Sequence, residues 1–464
     1  MTRDPASFRD PSGQIYHIGG RVYRSVQPIA VPDYEFVRDS GALDRLIEDG
    51  SIIRSEEVDA DILGADAPTG GYVLEHPAVK FWSYPYEWSF SALKAAALLH
   101  LDIQIKLLEN DVALSDATAY NIQFIGPKPI FVDFLSFRRY RENEHWEAHR
   151  QFCEQFLNPL LLQATFGIPF HEWYRGQPEG IKSGNLAKLS KWRHYLSPRM
   201  LGHVIFPGRV SGWNEDKALK SASEAKARGL PRSRYSALLN QLRSWISNLK
   251  PQGIDDTTWH DYATTNTYAD AEAAAKRAFV SDFVKKTSPS LLIDLGCNTG
   301  EYSEAALEAG AKSVIGLDAD HGALEQAFAR AKAKNLPFLP LFQDSANPNP
   351  GQGWNHHERR NLINRCQNLD AVIALAFEHH LVIGRNILLP EVVNWIVGLA
   401  PLGIIEFVHK DDQTIQKMLA LRDDIFTDYS VENFTSALEG CARVVRREKV
   451  SAAGRELFWF SRNQ

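Results

Sequence analysis

The chain has 464 residues, 44% of them hydrophobic and 23% charged, which exceeds what one hydrophobic core spans and predicts two or three domains of ordinary globular composition. A net charge of −6 at pH 7 excludes a global field that would draw the protein to nucleic acid or an anionic membrane. The opening residues lack the apolar core of a signal peptide, no apolar run nears the roughly 20 residues that span a bilayer, and Cys153, Cys297, Cys366 and Cys441 form no C-x-x-C pair, so the expectation is a cytoplasmic protein with no metal centre.

Two β-rich runs meet at Gly19-Gly20 in "QIYHIGGRVYR" (14–24), which predicts a hairpin, and residues 33–48 read as helical. "FWSYPYEWSFSALK" (81–94) concentrates aromatic rings, expected to be core, with stacking on a sugar or base as the alternative. "SFSALKAAALLHLDIQIKLLENDV" (89–112) opens with a serine cap and places Leu93, Ala96, Ala97, His100, Leu101 and Gln104 at helical spacing. A second hairpin turns at Gly126-Pro127. From 145 to 250 the pattern is helical and Trp-rich. Within it, 215–250 carries eight Lys/Arg against three acids, ordinarily a solvated helix face and alternatively a surface for an RNA backbone.

"PQGIDDT" (251–257) reads as a boundary, beyond which strands and helices alternate and predict a mostly parallel sheet. The expected organisation is an N-terminal α+β domain over 1–145, a helical region over 146–254 and an α/β domain over 255–464.

The most informative stretch is "LLIDLGCNTGEYSEAALEAGAKSVIGLDAD" (291–320). It reads as strand, glycine-rich turn, helix and second strand, with Asp318 at the second strand's carboxyl end. Gly296 and Gly300 let the backbone approach a ligand, the following helix offers free N–H groups, and a carboxylate placed like Asp318 accepts ribose hydroxyls. The turn is G-x-N-x-G rather than G-x-G-x-x-G. Asp294 just before it would repel a pyrophosphate but suits the ammonium of a methionine moiety, which favours S-adenosylmethionine (SAM) over a dinucleotide. Further strands end at Asp344-Ser345, where an adenine amino group is expected to be read, at "AFEHHL" (376–381) and at "LGIIEFV" (402–408); residues 442–462 form a closing antiparallel pair.

These residues resemble the class I SAM-dependent methyltransferases over about 270–464, through "DLGCNTG", "GLDAD", "QDSA" and "EHH". The resemblance implies a Rossmann-like seven-stranded domain with SAM held by Asp294, Gly296, Cys297, Asn298, Gly300, Asp318, Asp344 and Ser345. Asn298 stands where a glycine is commoner, and asparagine tolerates left-handed backbone. Residues 259–284 look like the helices that cap the cofactor, with Tyr262, Tyr268 and Lys276 as candidate contributors. The loop after the fourth strand lacks the N/D-P-P-Y/F of amino-group enzymes, and Cys366 precedes that strand, unlike a cytosine C5 nucleophile. A hydroxyl acceptor is therefore preferred, with His379 or His380 taking its proton and His379 favoured. His409, Lys410, Asp411 and Asp412 are candidates to line the acceptor pocket.

In the N-terminal half, Asp116, Asn121 and Asp133 resemble the catalytic and metal-binding residues of the protein-kinase and aminoglycoside-phosphotransferase superfamily over about 85–140. The histidine before the aspartate, the third-strand lysine and a glycine-rich phosphate loop are missing, so the resemblance implies a degenerate kinase-like scaffold. The whole chain resembles a bacterial group of nodulation-associated methyltransferases, which points to a small-molecule or glycan acceptor recognised by the N-terminal half. The alternatives are an RNA methyltransferase and a non-catalytic kinase-like interaction module fused to a SAM-binding domain.

Overall fold

A computed structural model describes residues 1–210, 229–254, 267–420, 422–451 and 454–462. Five short strands open the chain: β1 (Thr2–Arg3), β2 (Ile15–Ile18), β3 (Arg21–Val26), β4 (Glu56–Val58) and β5 (Tyr72–His76). They form an antiparallel sheet in the order β1-β2-β3-β5-β4, with the expected hairpin at Gly19-Gly20 joining β2 to β3. The helical stretch at 33–48 is two helices, Val31–Asp39 and Ala42–Glu48, separated by Gly41 in a left-handed conformation.

The long helix runs Phe90–Leu108, and Ser89 Oγ caps it by accepting the Ala92 N–H at 3.3 Å. His100 faces inward, fully buried against Phe152 and Phe156, where burial lowers its pKa to about 3 and keeps it neutral. Beyond that helix come β6 (Val112–Leu114), β7 (Ile122–Ile125), β8 (Lys128–Phe131) and β9 (Phe137–Arg139); β7 and β8 are the predicted hairpin and β6 pairs with β9. The helix Arg232–Ser247 packs Leu239, Leu242 and Ile246 into the same core.

The C-terminal sheet contains β10 (Leu292–Leu295), β11 (Val314–Asp318), β12 (Phe338–Phe342), β13 (Ala371–Ala374), β14 (Leu402–Phe407), β15 (Ala442–Lys449) and β16 (Glu456–Arg462). Its order is β12-β11-β10-β13-β14-β16-β15; the first five strands are parallel and β16 is inserted antiparallel between β14 and β15. The strands are near-continuous apolar runs because helices cover both faces. Reversal of the order at β10 puts the carboxyl ends of β11, β10 and β13 side by side at a topological switch point, where open α/β sheets bind ligands.

The two halves share one hydrophobic cluster. Trp88, fully buried, makes an isolated bridge to Leu341 on the edge strand β12, and Phe124 meets Phe328 edge-on at 6.3 Å between ring centroids. Phe81, Tyr84 and Tyr86 are core beside it, so most of the aromatic stretch packs, while Trp82 is exposed. Among the described residues no helix is long and apolar enough to cross a membrane.

Candidate active site

The turn from β10 into the helix Glu301–Glu308 is left-handed at Gly296 (φ 72°), Asn298 (φ 48°) and Gly300 (φ 80°). A Cβ on Gly300 would stand 2.4 Å from the Phe338 ring, so packing and backbone both require glycine there. Asn298 donates its N–H to Asp318 Oδ2 at 2.8 Å, and Asp320 donates its own to Oδ1 at 2.9 Å. These bonds tie the turn to the end of β11. Burial raises the Asp318 pKa against their opposing effect. Asp294 is buried beneath the turn and accepts Ser303 Oγ–H at 2.6 Å; burial, with a contribution from Asp318, pushes its pKa up to about 7. Cys297 is buried, and burial holds its thiol well above the ordinary value, so it is unreactive.

At the end of β12, Asp344 accepts the Ala346 N–H at 3.0 Å and pairs with Arg385 at 3.3 Å, and Ser345 is half-buried in the following turn. The unpaired acceptor there belongs to their neighbour Gln343, which sequence reasoning passed over. Gln343 is 3% exposed and donates Nε2–H to the Asp344 carbonyl at 3.1 Å, while its Oε1 has no partner among the described residues.

After β13, Ala376 adopts φ 47°, unusual for a side chain with a Cβ, and its N–H is held by Glu406 Oε2 at 2.9 Å. The sequence places His379 and His380 in a loop. Instead they occupy the first turn of the helix Glu378–Arg385, two residues beyond this strained position. Glu378 is fully buried; its Oε1 accepts Tyr429 O–H at 2.6 Å and the Val408 N–H at 3.1 Å, and its Oε2 lies 3.4 Å from His379 Nδ1. Burial would raise the Glu378 pKa, but the bonds from His379, Tyr429 and Val408 hold it below the usual carboxylate value. His379 is 1% exposed and its Nε2 has no partner among the described residues. The two imidazoles lie 4.1 Å apart by ring centroid, and burial with the adjacent His379 lowers the His380 pKa to about 4.

A buried charge network supports this region. Lys276 contacts Glu406 and Glu272, each at 2.7 Å, and Arg455 holds Asp412 at 2.7 Å and lies 3.6 Å from Glu406. Lys276, a candidate from the sequence, is thus locked by fully buried Glu406. Tyr262 and the side chain of Tyr268 lie outside the described residues. Lys410 pairs with Asp424 at 2.8 Å and His409 lies 3.4 Å from Glu456. Sequence reasoning missed Glu406, Tyr429 and Arg455; the one available signal was a lone acid inside the apolar "LGIIEFV".

The N-terminal trio does converge. Asn121 Nδ2 donates to Asp116 Oδ1 and to Asp133 Oδ2, each at 3.2 Å. Burial, with Asp133 and Asp10 nearby, pushes the Asp116 pKa up to about 7. Arg24 ion-pairs with Asp133 and Asp10, each at 2.6 Å, so a guanidinium supplies the positive charge on this side of the cluster. In the described part of the basic segment, Arg232 pairs with Asp111 and Arg243 with Asp102; residues 211–228 lie outside the described set.

The strand order and the glycine turn at its switch point define the C-terminal part as a class I methyltransferase fold. No family model matches the sequence. Nodulation protein NoeA of Rhizobium meliloti (strain 1021) is 44% identical over 462 residues, covering 100% of this chain and 96% of that protein. The chain belongs to the NoeA family. Solved structures similar to part of the chain include N-methyltransferase NodS from Bradyrhizobium japonicum WM9, at 13% identity and TM-score 0.31, covering 43% of this chain and 98% of that one. Another is magnesium protoporphyrin IX methyltransferase from Synechocystis PCC 6803 with bound SAH, at 17% identity and TM-score 0.31, covering 43% and 90%.

Proposed function

We propose that the protein is a SAM-dependent methyltransferase acting on a hydroxyl oxygen of a small molecule or glycan, with the N-terminal half recognising the acceptor. The carrying observation is that the Gly296–Gly300 turn, Asp318 and the His379–His380 pair stand at the carboxyl ends of three adjacent parallel strands. The residues fit SAM. Asp318 retains acceptor capacity for ribose hydroxyls, Asp294 offers a counter-charge for the methionine ammonium, and the backbone of Gly296, Cys297, Asn298 and Gly300 permits close approach. Asp344 and Ser345 flank the adenine side, with the unpaired Gln343 Oε1 as a buried acceptor for an amino group.

When bound, SAM supplies a methyl group already activated on sulfur. The protein's own task is then alignment and proton removal. His379 Nε2 is the free acceptor for the hydroxyl proton, with His380 the alternative. Ionised Glu378 orients the His379 ring through Nδ1 and stabilises the imidazolium that forms. His171 of the N-terminal half stacks on His321 at 4.5 Å and meets Phe342 at a tilt at 4.4 Å between centroids, which brings that half to the carboxyl end of β12, beside the proposed cofactor site. We assign 1–145 as a degenerate kinase-like domain whose Asp116–Asn121–Asp133 cluster is closed by Arg24, 146–254 as its helical extension and 255–464 as the methyltransferase domain.

The test is incubation of the full chain with cell extract and methyl-labelled SAM, followed by identification of the product. Label on an oxygen of a hydroxylated small molecule or glycan is expected. Label released by ribonuclease would favour the RNA reading and overturn this one.

A further inference from the structure

Away from the strand ends, the fold gathers three soft metal-ligand side chains that the reaction above does not use. His149 and Cys153 are four residues apart, on one face where the helix His149–Phe152 passes into the π-helical turn Cys153–Leu157. His203 arrives from a second π-helical turn, Leu201–Ile205. His149 Nε2 lies 3.0 Å from His203 Nδ1 and 3.6 Å from Cys153 Sγ, and the three ligand atoms are all within 4.8 Å of one another. Cys153 is 1% exposed and His203 7%, between Trp146, edge-on to His149 at 5.5 Å, and Trp245, 6.0 Å from His203 by ring centroid.

Tetrahedral zinc, with bonds of about 2.0–2.1 Å to nitrogen and about 2.3 Å to sulfur, requires an N···S edge of about 3.6 Å and an N···N edge of about 3.3 Å. The His149–Cys153 separation already has the first length, and the His149–His203 separation is close to the second. Two imidazoles and a thiol in a largely apolar setting are the donor set that zinc selects over magnesium or calcium. π-helical turns are rare and occur frequently at functional sites, where the extra residue re-aims side chains. Here two such turns each deliver one ligand.

We propose that His149 Nε2, Cys153 Sγ and His203 Nδ1 form a zinc site, with a fourth coordination position that no further His, Cys, Asp or Glu among the described residues supplies. The inference is independent of the methyl-transfer reading.

Stripping the full chain with a chelator and titrating it with zinc chloride against a chromophoric competitor tests the site, with cobalt(II) as a spectroscopic substitute. One zinc per chain is expected, with thiolate-to-cobalt charge-transfer absorption that disappears in Cys153→Ser. Loss of an outer-shell partner alone costs about 10–100-fold in metal affinity, so Cys153→Ser and His203→Gln are each expected to weaken zinc binding by about 100-fold or more. Less than one zinc per chain at saturation would overturn the proposal and leave a hydrogen-bonded Cys–His–His trio. Affinity unchanged in both variants would overturn it as well. If either variant fails to fold, half-buried His149→Gln provides the same comparison, and unchanged affinity there is equally decisive.

Discussion

Asp294 shows how burial couples stability to ligand binding at a single residue. Its folded pKa, near 7, lies above the ordinary 3.8, so the folded state holds its proton more tightly than the unfolded chain does. Its stabilising contribution is complete below about pH 3.8 and is lost as pH rises through about 7. Asp294→Asn keeps an acceptor for Ser303 Oγ, and is expected to raise stability at pH 8 by on the order of 1–3 kcal/mol while weakening SAM binding. Thermal melts at pH 5 and pH 8 check the first part, since the gain belongs at pH 8 and shrinks at pH 5. Calorimetric titration of SAM checks the second. Asp318→Ala is expected to lose about 1.5–3 kcal/mol of SAM affinity, the usual worth of bonds to a charged group, and equal affinity would remove Asp318 from the ribose. His379→Ala is expected to lower kcat by about 10²–10⁴ with SAM affinity little changed, and His380→Ala by less. Were His380 the base, its depressed pKa would place a fall in rate near pH 4, which single-turnover rates across pH read directly.

Among elements, the glycine turn was the most legible part of the site. Its conformational demands appear directly as Gly296, Asn298 and Gly300, and the acid that it hydrogen-bonds terminates the next strand. The helix cap at Ser89 and both N-terminal hairpins were legible for the same reason: each depends on a few adjacent residues. Strand order was not, because it depends on which apolar runs pair across many tens of residues, and composition alone does not distinguish β10 beside β13 from any other pairing. The Glu378–Tyr429 bond and the Glu406 contacts with Ala376 and Lys276 were hidden likewise, since their partners are remote in sequence. The left-handed Ala376 before the helix Glu378–Arg385 escaped because nothing in alanine announces φ 47°; its N–H is held by Glu406 from the neighbouring strand. For the turn itself, Gly300→Ala combines a left-handed backbone with a Cβ 2.4 Å from the Phe338 ring. It is expected to cost about 1–3 kcal/mol of stability and to abolish measurable SAM binding, read by chemical denaturation and calorimetry.

At the scale of the whole molecule, the N-terminal half and the C-terminal half are joined through a buried ionic contact as well as a shared apolar core. Arg365 and Glu87 are each 2% exposed and meet through two bonds of 2.5 and 2.8 Å; Arg365 also donates to the Trp82 carbonyl at 2.7 Å, and Asn349 donates to Glu87 at 2.5 Å. Removing residues 1–254 would leave the Arg365 guanidinium in an interface without its counter-charge and uncover the edge of β12 that Trp88 meets. A division of labour in which the first half only recognises the acceptor predicts that 255–464 alone binds SAM. The contact predicts that this fragment is poorly stable, so the junction is better probed in the full chain. Glu87→Ala is expected to cost about 3–5 kcal/mol, because it strands a buried charge. Glu87→Ala combined with Arg365→Ala is expected to cost clearly less than the sum of the two single changes, since the double variant leaves neither charge unpaired. Chemical denaturation of the four proteins in this cycle measures the coupling. If the costs simply add, the pair contributes nothing across the junction, and apolar packing around Trp88 is what holds the halves together.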